Sequence, residues 1–196
     1  MGIKEVIHNI FGHITNILVH KYWVMKYGRE IGLCYWQLFK HDLSKFSPIE
    51  FKESVKFYKG ESSPIPECKK CKGFSNAWQH HKGRNSHHYE YWTDYIDGEL
   101  KAIPMPYNFV LELIADWMAA GRTYMGKSFT FEGQCEWWEN KKKENPLIHP
   151  VTISLIDHFF NKKYTYKDMA NFFKKCHYEI KREYIDNCDN INIHIE

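Results

Sequence analysis

Four histidines fall within nine residues of this chain, at His80, His81, His87 and His88 in the run Ala77-Trp78-Gln79-His80-His81-Lys82-Gly83-Arg84-Asn85-Ser86-His87-His88. A buried neutral imidazole without a partner costs free energy, and a solvated one has no reason to cluster. The run therefore constrains the fold, because acids or further imidazoles from distant segments must come to meet it. The dipeptide His41-Asp42 and the isolated Asp116 are the first candidates.

The surrounding chain reads as helices. Residues 3–26 form an amphipathic helix in which Ile10, Ile14, Ile17 and Val24 fall on one stripe, with His20 on that same stripe. A second helix is expected to start near Arg29, to bury Ile31, Cys34 or Tyr35, and Leu38, and to end at His41-Asp42. Ser47-Pro48-Ile49-Glu50 is a capping box that opens a third. Ser75 or Asn76 caps the first half of the histidine run, which Gly83 and Asn85 break or bend. In an unbroken helix His81 and His88 would share one face and His80 and His87 a neighbouring one. That favours His81 with His88 as a pair and keeps His87 as a candidate. His80 is expected to be structural or to face solvent.

Residues 93–106 read as an irregular connection with a turn at Asp97-Gly98, and Pro104 and Pro106 stop any helix there. Asn108 can cap the next helix, whose stripe of Phe109, Leu113, Asp116 and Ala120 carries an acid on an apolar face. Such an acid is costly unless charge-paired or metal-bound. Further helices are expected over 131–144, 150–161 and 165–187.

The chain thus reads as all-α, one domain over 1–188 with a loop insertion at 59–75 and a flexible tail at 189–196. At 196 residues and 43% apolar it can bury a substantial core. A net charge of +3 is too small for a protein whose main partner is a nucleic-acid backbone. No stretch reads as a membrane span, and the acid and histidines near the N-terminus do not suit a signal peptide. The six cysteines are expected to be reduced thiols, which points to the cytoplasm. Cys68 and Cys71 have the spacing of half a zinc site, but no second pair stands near them. Glu67, not proline, precedes Cys68, and no His-x-Glu lies upstream, which excludes a zinc deaminase.

Imidazole and carboxylate together suit borderline divalent metals. The order His20, His41-Asp42, a histidine cluster, then Asp116 resembles the HD-domain superfamily of metal-dependent phosphohydrolases, which are all-α. The resemblance implies His20, His41, Asp42 and Asp116 as ligands of one metal. It implies His81 with His87 or His88 as ligands of a second. One or two ions of Mn, Ni, Co, Zn or Fe would serve. His41-Asp42-x-x-Lys45 is similar to a form of the motif in which the lysine lies near phosphate. The phrases HDLSKFSPIEF, HHKGRNSHHYEYW and DWMAAGRTYMGKS resemble, over residues 15–150, a family of small proteins of bacteria and their phages.

The implied substrate is a small phosphorylated molecule such as a nucleotide, attacked by metal-activated water. Lys45, Asp42 and Glu90 are the candidate catalytic residues. Arg84, Asn85, Arg122 and Lys127 are the candidates for holding substrate. Two other classes fit the same ligands: a metal-stapled binding module for a nucleotide signal or protein, and a di-iron oxygenase.

Overall fold

The computed structural model describes residues 2–144 and 146–191, and among them nine α-helices and one small hairpin carry the fold. The all-α class expected from the sequence is the class observed. Helix α1 (Ile3–Glu30) packs chiefly on α6 (Tyr107–Met125). The inward stripe of α1 is Asn9, His13, Ile17, His20 and Val24, in steps of three or four residues. Ile10 and Ile14, expected on that stripe, are only half-buried beside it. Polar residues take the inward places because this end of α1 faces a polar interior. There the Asn9 amide donates to the Val55 carbonyl at 3.1 Å.

Gly28 does not end α1. An added Cβ there would overlap the Leu38 side chain, so this glycine lets α2 (Tyr35–Lys40) lie directly on the α1 backbone. The helix runs on to Glu30 and stops at Ile31-Gly32, where Gly32 has φ +97°. The second helix accordingly starts at Tyr35 and not near Arg29. Helix α3 (Pro48–Lys56) opens as expected, with the Ser47 hydroxyl accepting from the Glu50 backbone N–H.

The segment 59–75 is not a loop. It contains α4 (Pro64–Lys72), capped by Ser63, with proline in its first turn and Gly73 closing it at φ +81°. The start and stop signals were present, masked by a Pro-, Lys- and Cys-rich composition. Cys68 is buried and Cys71 exposed, so this pair does not converge, and the cysteines of the described residues are free thiols. Helix α5 (Asn76–Lys82) is capped by the Ser75 hydroxyl and ends at Gly83.

Residues 93–102 correct the irregular connection. They form an antiparallel hairpin, β1 (Thr93–Ile96) with β2 (Glu99–Ala102), in which Thr93 faces Ala102 and Ile96 faces Glu99. Asp97 (φ 56°) and Gly98 (φ 79°) both take the left-handed conformation that a two-residue hairpin loop requires. Pro106 (φ −59°, ψ 139°), not Asn108, sits at the N-cap of α6, and Asn108 lies inside the first turn.

Helices α7 (Phe131–Lys143), α8 (Pro150–Phe159) and α9 (Tyr166–Ile191) supply much of the apolar core, in which Trp138, Phe159, Phe160 and Phe173 are buried with Leu111 and Ile114 of α6. Helix α9 extends through residues 189–191, which the sequence assigned to a tail; the remainder, 192–196, lies outside the described residues. No helix among the described residues is long and apolar enough to cross a membrane.

Candidate metal centre

Four segments meet at the polar end of the α1–α6 pair. His20 comes from the inward stripe of α1, and Asp116 comes from α6. His41 and Asp42 stand where α2 gives way to a 3-10 turn, Leu43–Phe46. Asp42 is left-handed there (φ 58°, ψ 20°), a conformation that costs a non-glycine residue of order 1 kcal/mol and that aspartate accepts more readily than most. The kink turns two consecutive side chains toward one point. Lys21 fastens it to α1, donating to the carbonyls of Phe39 (2.6 Å) and His41 (2.8 Å). The fourth segment brings His81 from the end of α5 and His87 and His88 from the turn beyond it.

That turn resolves the choice among histidines. The helix ends at Gly83, so no single helical face carries the run, and His81, His87 and His88 all reach the same place. The Asn85 amide braces the reversal by donating to the Ser44 hydroxyl and the His81 carbonyl, both at 2.8 Å.

The donors form two groups that share Asp42. His20, His41, Asp42 and Asp116 offer ligand atoms within 4.8 Å of one another, as do Asp42, His81, His87 and His88, and all seven residues are buried. His20 Nε2 lies 2.9 Å from Asp116 Oδ1, and His41 Nε2 lies 3.2 Å from Asp42 Oδ2 and 3.3 Å from Asp116 Oδ1. On the other side, Asp42 Oδ1 is 3.3 Å from His81 Nε2 and 3.5 Å from His87 Nε2. Each group can hold a metal ion.

Two carboxylates that the sequence did not assign to the site orient these rings. Glu112 Oε1 stands 2.9 Å from His41 Nδ1 and 3.4 Å from His87 Nδ1. Glu50 stands 2.8 Å from His81 Nδ1 and 2.6 Å from His80 Nδ1. Each acid engages the outer nitrogen and leaves Nε2 turned to the centre, the arrangement that fixes the tautomer of a metal-binding histidine. Glu50 had read as the reciprocal member of a capping box. His80 is neither solvent-facing nor central; it shares Glu50 with His81. Glu112 carried a usable signal, since it precedes Asp116 by one helical turn among the apolar residues Val110, Leu111, Leu113, Ile114 and Ala115.

The fit to metal is tested by what these atoms lack. The Nε2 atoms of His20, His41, His87 and His88, together with Asp42 Oδ1, are buried without a hydrogen bond. The short distances between them therefore join groups that face a common point without hydrogen-bond geometry. A buried polar atom left unpaired costs about 1–3 kcal/mol, so five in one place mark a site whose cost a bound metal ion could offset.

Electrostatics point the same way. Burial opposes charge on Asp42 and Asp116, yet His41, Lys45 and His81 around the first, and His20 and His41 beside the second, hold both carboxyls well below the usual range. Burial also opposes Glu112, but His41 and His87 bring it down to about 2. Burial lowers His20 and His88 and keeps them neutral, with Lys45 adding at His20 and His87 at His88. His41 is the exception: against burial, Asp42, Asp116 and Glu112 raise it well above its ordinary value. Ionised carboxylates and neutral imidazoles are the forms that bind metal.

A cavity of about 150 Å³ opens onto the centre, lined among others by His20, His81, His88, Asp116 and Lys45. Lys45 Nζ lies 2.6 Å from Asp42 Oδ2. Among the described residues lining the cavity it is the single lysine or arginine. Arg84 and Lys127 are exposed and do not line it. Arg122 lies over the Trp23 ring at 5.0 Å, in a separate groove with Tyr27 and Tyr166. Glu90 belongs to a 3-10 turn, Tyr89–Tyr91, and to neither donor group.

The model of a family of unknown function (DUF5662) matches residues 8–162, and the chain belongs to that family. Neither a curated protein nor a solved structure matches it.

Proposed function

We propose that this chain is a two-metal phosphohydrolase of the HD type. Its substrate is a nucleotide or related small phosphoester. The observation that carries this reading is the pair of donor groups sharing Asp42, with Lys45 beside them and a cavity giving access. The order His20, His41-Asp42, Asp116 resembles the ligand order of the HD superfamily, and the histidine cluster supplies the second group. Divalent ions held there would supply Lewis acidity toward a phosphoryl oxygen and lower the pKa of water.

The protein's own part is positioning and charge. Glu112 and Glu50 engage the Nδ1 atoms of His41, His87 and His81 and so aim each Nε2 at the centre. Asp42 spans the two groups and sets their separation. Lys45 is paired with Asp42 and faces the cavity, where its ammonium can bind a non-bridging phosphoryl oxygen and offset charge that develops in the transition state. Burial of the donors excludes bulk water and strengthens each of these interactions.

The test is phosphate release from a panel of nucleotides and sugar phosphates by protein loaded with manganese, cobalt or nickel. Turnover is expected, and Lys45→Ala is expected to lower it by about 10²–10³ while metal content holds. Absence of phosphate release from every ester would overturn the reading.

A further inference from the structure

The cavity is larger than the metal centre needs, and its far wall has its own chemistry. His13 stands seven residues before His20 on the same stripe of α1, buried, with its ring set against Phe51 (5.5 Å between centroids) and Tyr58 (6.2 Å). Its Nε2 is buried without a hydrogen bond, and the residue lines the cavity. Burial, with the charge of Lys45 adding to it, lowers His13 to about 4, so the ring is a neutral donor or acceptor near pH 7. Asn16, Ser54 and Tyr124 are further uncharged polar residues on the lining, between apolar surfaces of Ile17, Pro64 and Ile65. The last two belong to the start of α4, so the helix that replaces the expected loop closes this wall.

Size limits the occupant. An engineered cavity of about 150 Å³ accommodates a benzene molecule. The volume here is also about 150 Å³, part of it beside the metal ligands, so a two-ring group does not fit inside. Charge limits it too, because Lys45, paired with Asp42, serves the phosphoryl end of the cavity and no other lysine or arginine among the described residues lines the space. Apolar sides with scattered neutral hydrogen-bonding groups match a small ring that carries hydroxyls.

We propose that the His13 wall is a subsite for a neutral, single-ring, hydroxylated group of pentose size, joined through an ester oxygen to a phosphoryl group at the metal centre. His13 Nε2 hydrogen-bonds one hydroxyl and so selects the ring. The inference rests on the hydrolase reading for its phosphoryl half. A base attached to such a ring would project out of the cavity, so sugar phosphates and nucleoside monophosphates share the recognised chemistry.

Calorimetry on the full chain loaded with manganese tests this, using non-hydrolysable methylphosphonate, ribose 5-phosphonate and uridine 5′-phosphonate. Ribose 5-phosphonate is expected to bind at least about tenfold more tightly than methylphosphonate. His13→Leu should remove about tenfold of that difference while leaving methylphosphonate binding and metal content unchanged, since one buried polar group loses its partner. His13→Gln, which keeps a hydrogen-bonding group, should recover part of it and guards against a folding defect in the leucine variant. Tighter binding of the uridine compound would mark a nucleotide as the source, and equal or weaker binding a sugar phosphate. Equal affinity for ribose 5-phosphonate and methylphosphonate, or a ratio unmoved by His13→Leu, overturns the subsite and leaves the hydrolase reading standing. Failure of methylphosphonate itself to bind overturns both.

Discussion

Two buried polar sites in this molecule behave in opposite ways. At the α8–α9 side, Thr152, Tyr184 and Met105 close a complete circuit. The Tyr184 hydroxyl donates to the Met105 carbonyl at 2.6 Å and meets the Thr152 hydroxyl at 3.0 Å, which accepts from the Met105 N–H at 3.2 Å. Nearby, the Trp138 indole N–H donates to Asp157 at 2.7 Å. At the α1–α6 side, four imidazole Nε2 atoms and an aspartate oxygen are buried facing one another with no hydrogen bond. The fold can satisfy buried polar groups where their purpose is packing. Where it leaves them unsatisfied and holds their outer nitrogens with Glu112 and Glu50, the arrangement is one that could hold metal.

The difference can be broken most completely at Asp42, which belongs to both donor groups. Asp42→Ala is expected to abolish metal uptake at both, as read by elemental analysis, whereas His88→Ala should spare the group that does not contain it. Loss of only one ion in the aspartate variant would mean that the two groups do not share it. A cut in the apolar half should do the converse. Phe159→Ala empties a fully buried position and is expected to cost roughly 3–5 kcal/mol, lowering the melting temperature by about 10 °C while metal stoichiometry is unchanged.

Smaller changes sharpen the comparison. Glu112→Gln keeps shape but weakens the hold on His41 and His87, and metal affinity should fall about 10–100-fold with little change in the fold. Titration with a competing chelator reads that shift, and an unchanged affinity would make Glu112 a packing residue. The smallest effect concerns Glu53, which fastens the start of α5. Its carboxylate accepts from the Ser75 hydroxyl (2.6 Å), the Ala77 N–H (2.9 Å) and Lys72 (2.7 Å). Burial opposes its charge, yet Lys72, Ser75 and Ala77 lower Glu53 from 4.5 to about 2. A carboxylate depressed in the folded state contributes stability that is present above about 4.5 and lost as pH falls toward 2. The melting-temperature gap between wild type and Glu53→Gln should therefore be widest near neutrality and shrink through pH 4.5 to 3.

Much of the centre was legible because its members break local rules. His20 interrupts an apolar stripe, Asp116 puts charge on a buried face, and the histidine run is too dense for packing. Of their supports, Glu50 was hidden because it sits where a capping box wants a glutamate, whereas Glu112 is marked only by standing one helical turn before Asp116. His87 and His88 could not both be placed from periodicity, since their convergence depends on the reversal at Gly83, which is a tertiary event. The hairpin has no alternating signature because its four-residue strands bury no residue fully and show no burial alternation. Helix α4 was masked because composition outweighed its Ser-Pro start and Gly stop. His13 was seen only as an interruption of an apolar run, and its inward direction becomes visible once α1 is phased by Asn9, Ile17 and His20.

The shared-aspartate centre is expected to hold two divalent ions. Protein purified without a metal-binding tag, loaded and then desalted, should retain two manganese, cobalt, nickel or zinc ions per chain by elemental analysis. Retention of none, with no rise in melting temperature on adding any of these metals, would contradict it.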